Sequence, residues 1–262
     1  MATKIFKSKT ILAGLNAKTV KGDKQEEYAT AIMYLAPATM AGGVNLCPMA
    51  ATAGCDPSDG GGCLVNSGQA GVFTSINRAR IAKTQRYLTS RTDFMAELVR
   101  DIERFIVWCA KHDVKPAVRL NGTSDIQWEV AHNCTRGDTR GSIFEVFPEV
   151  QFYDYTKIYK RAYRELPSNY SLTLSYSEAN ERYAEAVTTA AHETGANLAV
   201  VYRTKELRNY FVDKLAQYGA VCREVMDGDQ TDMRFTDPKG VIVGLYAKGR
   251  GAKRDTSGFV VG

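Results

Sequence analysis

A chain of 262 residues, 44% hydrophobic and 24% charged, can bury a sizeable core, and it has no low-complexity tract of the kind that marks a disordered or fibrous protein. Its net charge of +5 is too small for a dedicated nucleic-acid wrapper, and its six cysteines are too few for a disulfide scaffold. The start, MATKIFKSKTILAG, lacks the apolar run of a signal peptide, and no stretch reaches about 18 uninterrupted apolar residues, so a cytoplasmic protein without a membrane anchor is expected.

Residues 1–24 hold six lysines against one aspartate and form a basic N-terminal segment. EYATAIMYLAPA (27–38) reads as a buried strand. The loop that follows, 45–71, is rich in Gly, Asp and Ala, and places Cys47, Cys55 and Cys63 at equal eight-residue steps. Next, 72–90 and 91–113 read as helices. In the second, Phe94, Leu98, Ile102, Phe105, Ile106 and Cys109 recur at helical spacing, and Thr92 is a candidate N-cap. The first is basic. Arg80, Lys83 and Arg86 fall roughly on one stripe, and with Arg78 they offer an anion or nucleic-acid contact near the helix N-terminus. The plain alternative is a solvated helix face.

From here strands and helices alternate. PAVRLNG (116–122) is a strand, and a polar stretch containing IQWEVAHNC follows. EVQFYDYT (149–156) is a strand, 158–166 a short helix, YSLTLSYS (170–177) a strand, and 179–195 a helix closed by Gly195. NLAVVYRT (197–204), a helix over 205–219, and strands at 220–227 and 239–247 complete the series. The pattern predicts a single α/β domain with a mainly parallel sheet of about six or seven strands, barrel-like, a partial (β/α) barrel or open and doubly wound. In all of these, chemistry collects at the carboxyl ends of the strands. That rule points to the cysteine loop and to residues 121–125, 155–157, 176–180 and 226–232.

The thiols have three readings. They converge on a metal or iron–sulfur cluster, they are free structural thiols, or they form a disulfide. A structural zinc takes four protein ligands, so the trio would need His132, Cys134 or another residue, whereas a cluster with one open iron needs three thiolates. Cys109 and Cys222 lie in apolar periodic segments and read as core residues. In MDGDQTDMRFTD, Asp227, Asp229, Asp232 and Asp237 crowd together and repel unless a cation such as Arg234 neutralises them. The first three are candidate acid–base residues, with an ordinary capped turn as the alternative. The tail 248–262, with Lys248, Arg250, Lys253 and Arg254 among glycines, pins phosphates or is a mobile terminus.

Cys47-Pro48, Cys55 and Cys63 after a first strand, the stretch Arg119 to Asp125, Tyr153 to Thr156, and Asp227 to Gly240 together resemble the bacteriophage proteins of the gene product eighty-eight type. The layout of that group is in turn similar to radical S-adenosylmethionine enzymes, which implies a partial barrel with a 4Fe–4S cluster held after strand 1. By position, the resemblance implies Cys47, Cys55 and Cys63 as cluster ligands. It also puts Asn121, Gly122, Thr123 and the nearby Asp125 beside S-adenosylmethionine. The cysteine spacing is wider than that family's C-x₃-C-x₂-C. The expectation is therefore a phage-type protein with a three-cysteine iron–sulfur or zinc site and nucleic acid or a phosphate-bearing small molecule as partner. The alternative is a nucleic-acid-binding phage protein with a structural cysteine loop.

Overall fold

The computed structural model of the chain describes residues 6, 10–14, 27–59, 62–66, 68–130, 132–215 and 223–262. The strands are β1 (Leu12–Ala13), β2 (Tyr28–Met33), β3 (Lys115–Arg119), β4 (Asn133–Arg136), β5 (Thr139–Ser142), β6 (Gln151–Thr156), β7 (Tyr170–Ser175), β8 (Leu198–Tyr202), β9 (Val225–Asp227) and β10 (Ile242–Tyr246). The helices are α1 (Thr74–Thr89), α2 (Arg91–Lys111), α3 (Ile143–Val146), α4 (Glu181–Thr194), α5 (Lys205–Leu215) and α6 (Gly249–Lys253).

Eight strands make one sheet in the order β1-β2-β3-β6-β7-β8-β10-β9. Every pairing is parallel except that of β1 with β2. All seven expected strands are present in it, and β1 adds a short antiparallel edge. The order follows the chain from β2 to β8, the succession of a partial barrel, and then β10 slips between β8 and β9. Among the described residues the two end strands pair only inward, so the sheet stays open.

The two faces differ in chemistry because side chains alternate along a strand. Ala29, Ala31 and Met33 of β2, Val118 of β3 and Phe152 of β6 join the main apolar core. There they meet α2, whose Phe94, Leu98, Ile102, Phe105 and Cys109 are buried as their spacing predicts. Each such large side chain contributes roughly 1.5–3 kcal/mol by leaving water. The opposite face carries Thr30, Arg119, Tyr153 and Tyr155. Residues 231–237 fold back over it, with Phe235 against Tyr28 at 4.9 Å and Tyr153 at 5.4 Å between ring centres. Met233 and Arg234 are fully covered there.

Several local expectations change. The N-cap of α2 is Ser90, without a side-chain cap, because the helix begins two residues earlier than an N-cap at Thr92 would allow. The segment 158–166 forms only a 3₁₀ turn at Tyr159–Tyr163, and the polar stretch after residue 125 leads into the β4–β5 hairpin. Helix α4 ends on Gly195 at φ 70°, a left-handed position suited to glycine. Cys222 lies outside the described residues, as does most of the basic segment 1–24. No helix among the described residues is long and apolar enough to cross a membrane.

Candidate functional site

At the carboxyl ends of β2, β3, β6 and β7 lies a cleft of about 130 Å³ that opens to solvent. Cys47, Cys55 and Cys63 all line it, together with the stretch 121–125, Tyr155 to Lys157, Ser175 and Phe259. The chain folds this way for local reasons. Short turns compact the cysteine loop, with the Ala50 N–H donating to Cys47 O and the Cys55 N–H to Ala50 O, both at 2.9 Å. The Asp125 N–H donates to Leu46 O at 2.9 Å and the Gly122 N–H to Met33 O at 2.9 Å, so the ends of β2 and β3 are laced together. Gly122 is required by this approach, since a Cβ there would sit 2.5 Å from Met33 O. The Cys47 thiol reaches Thr123 O at 3.8 Å.

Burial sets the state of these groups. It pushes the Cys47 thiol well up and Cys63 up to about 11, with each thiolate opposed by its neighbours. Cys55 is raised by burial as well, and Lys157 works the other way. Burial lowers Lys157 to about 8 against the pull of Cys55 and Asp125. Its Nζ rests against Ser175 Oγ at 3.2 Å and Tyr176 O at 3.3 Å, and stands 4.4 Å from the centre of the Phe259 ring. No disulfide joins Cys47, Cys55, Cys63, Cys109 or Cys134. Among the described residues, no three His, Cys, Asp or Glu side chains form a group set to hold a single metal ion.

The other expected residues divide. Asn121 lines the cleft, but its side chain organises its own loop. Its Oδ1 accepts from Ser124 Oγ, the Ile126 N–H and Trp128 Nε1, while Nδ2 donates to Ile126 O and Asp154. Asp154 is wholly buried there and is raised to about 7 by burial. Thr123 Oγ1 donates to Leu35 O at 2.5 Å. The Asp125 carboxylate accepts from Thr156 Oγ1 at 2.7 Å, the Lys157 N–H at 2.8 Å and Arg161 Nη1 at 3.2 Å, which ties it to the end of β6.

Asp227, Asp229 and Asp232 do not converge on the cleft. Asp227 and Asp229 pair with Arg208, Asp229 also with Lys248, Asp232 with Arg119, and Asp237 with Arg234. The basic stripe of α1 is likewise dispersed. Lys83 donates to Ile11 O at 2.6 Å, Arg86 pairs with Glu97, and Arg78 is exposed. Arg80 alone leans toward the cleft, against the Tyr34 ring at 5.1 Å and near Cys63. His132 and Cys134 also stay away from the cleft, His132 bonded to Tyr87 Oη at 2.7 Å and Cys134 in the main core.

Three wall residues were given no individual role from the sequence, though Lys157 lies in the strand-end stretch 155–157 and Arg119 opens the stretch 119–125. Arg119 is a charged residue at the buried end of β3, 3% exposed, and that mismatch is the signal that marks it. Lys157 directly follows a strand end. Phe259 belongs to the tail, which is bonded into the fold. Val261 bridges to Tyr202, and Arg203 donates to Lys253 O and Asp255 O at 3.0 Å. Ser257 Oγ donates to Gly54 O at 2.5 Å, which presses the tail onto the cysteine loop, and a Cβ at Gly62 would strike Phe259.

No curated protein and no solved structure matches this chain. The model of one family, described as gene product 88, matches residues 9–262, which takes in all three cysteines, the strand-end residues that face them and the tail that closes the cleft. The chain therefore belongs to the gene product 88 family.

Proposed function

We propose that this cleft is a cofactor site in which Cys47, Cys55 and Cys63 hold an iron–sulfur cluster with one iron left open to a ligand. One observation carries the reading: three thiols spaced eight residues apart come to the wall of one cavity at the strand ends. The donor set fits the group. Thiols raised by burial have no anionic use by themselves, and a cation that replaces their protons would favour the thiolates. Neither His132 nor Cys134 reaches the cleft to complete a four-ligand zinc site. When bound, a cluster of this kind supplies electrons or a Lewis-acidic iron. The chain's own residues supply the enclosure, with Phe259 and Tyr155 as apolar walls and Lys157 as a fixed cation beside Cys55.

The likeness to radical S-adenosylmethionine enzymes belongs to the same reading, with S-adenosylmethionine as co-substrate. Because the Asn121 side chain is fully bonded within its loop, any contact from that element runs through its backbone. Anaerobic purification with iron, sulfide and zinc analysis and a visible spectrum tests the reading. The expected result is iron with sulfide and a broad visible charge-transfer band, lost in Cys47→Ser, Cys55→Ser and Cys63→Ser but kept in Cys109→Ser and Cys134→Ser. A colourless protein with stoichiometric zinc overturns it.

A further inference from the structure

Arg119 of β3 lines the cleft and is 3% exposed. Its Nη1 donates to Asp232 Oδ2 at 3.2 Å, and its guanidinium lies over the Tyr155 ring at 4.7 Å. Nε, on the opposite edge, is buried without an acceptor. A buried donor left in that state is rare and calls for an explanation. The edge that carries Nε and Nη2 is the planar fork with which arginine grips two coplanar oxygens at once.

We propose that the cleft takes a small molecule bearing a carboxylate, bound two-pronged by the Nε–Nη2 edge of Arg119 with its body against Tyr155 and Phe259. A singly charged group suits the place better than a phosphate, because Asp232 already shares the guanidinium and Asp125 lines the same cleft. A dianion would meet both carboxylates. The walls offered by Pro37, Met49, Tyr155 and Phe259 suit an apolar or aromatic body. The assignment rests on the cleft being a ligand site, as above, but not on what the thiols hold.

Calorimetry on the full chain with sodium benzoate, phenylphosphate and benzamide tests it. Benzoate binds, and the neutral isostere benzamide binds at least about tenfold more weakly. Arg119→Gln loses at least about tenfold for benzoate, and Arg119→Lys falls between, since it keeps the charge but not the fork. Benzoate binding is measured on the full chain stripped of metal by a chelator and scored separately from its iron and zinc content, so failure of one reading leaves the other standing. Should Arg119→Gln not fold, benzoate must still protect Arg119 of the wild-type protein from phenylglyoxal, read by peptide mass spectrometry, where benzamide does not. Equal binding of benzamide, tighter binding of phenylphosphate, wild-type affinity in folded Arg119→Gln, or absent protection each overturns the proposal.

Discussion

Two regions of this molecule gather reactive residue types, and they turn out differently. Along 227–237 four aspartates crowd together, and each meets an arginine or lysine: Asp227 and Asp229 at Arg208, Asp229 also at Lys248, Asp232 at Arg119 and Asp237 at Arg234. Their charge is met inside the fold, and the segment serves as a plug over the polar face of the sheet. Around the cleft, three thiols are held in their neutral form by burial, a lysine is lowered to about 8, and a buried guanidinium keeps a donor without an acceptor. Density of charge in the sequence therefore does not coincide with the cleft, where thiols and a guanidinium gather instead.

The largest effect that tests this contrast falls where the two regions touch. Asp232 is the one carboxylate of the plug that faces the cleft's guanidinium, both side chains being under 16% exposed. Asp232→Asn leaves Arg119 buried without its counter-charge and should cost about 3–5 kcal/mol in denaturant unfolding. Asp227→Asn should cost less than about 1 kcal/mol, because the Asp227 side chain is 32% exposed and Arg208 keeps Asp229. Equal losses would mean that the plug is one network and the division drawn here is wrong.

A middle-sized effect concerns the tail. Phe259 closes the cleft over Lys157, and Ser257 fastens the strand of tail to Gly54. In the metal-free protein, Phe259→Ala should raise the labelling rate of Cys55 and Cys63 by iodoacetamide roughly tenfold, a change of about 1.4 kcal/mol in local opening. Cys109, packed against the main core, should keep its rate. Unchanged labelling of all three would show that the tail does not govern access.

How much of this was legible follows from range in the chain. The seven parallel strands, the apolar stripe of α2 and the glycine end of α4 were legible because spacing and capping act over a few residues. The gathering of Cys47, Cys55 and Cys63 with residues 121–125 was legible only through the rule that such folds put chemistry at strand ends. The docking of the tail was not legible because Lys248, Arg250, Lys253 and Arg254 look solvated in sequence. What holds it is distant: Arg203 on its carbonyls, and Ser177 donating to Gly258 O at 3.1 Å. The same holds for the aspartates, whose partners Arg119 and Arg208 lie far upstream. The β4–β5 hairpin was missed because Asn133–Ser142 carries almost no apolar alternation for a pattern to show.

The smallest effect probes whether the plug is as quiet as its pairings suggest. Asp237 lies 3.2 Å from Arg234 Nε with both side chains almost fully buried, yet Asp237 Oδ2 and Arg234 Nε have no hydrogen-bond partner, so the charges are near but misaligned. Burial accordingly outweighs the nearby guanidinium and lifts Asp237 to about 6. A carboxyl raised on folding binds its proton more tightly in the native state. Its contribution to stability is full below the ordinary value of 3.8 and is lost as pH rises through about 6. Asp154, raised to about 7, acts in the same direction, so the useful quantity is the difference between variants. Asp237→Asn fixes a neutral group at this position and should flatten the fall in melting temperature between about pH 4 and 6 relative to wild type, without abolishing it. An identical slope in both proteins would show that burial does not disfavour the charge of Asp237, and the plug would then be quiet at this acid too.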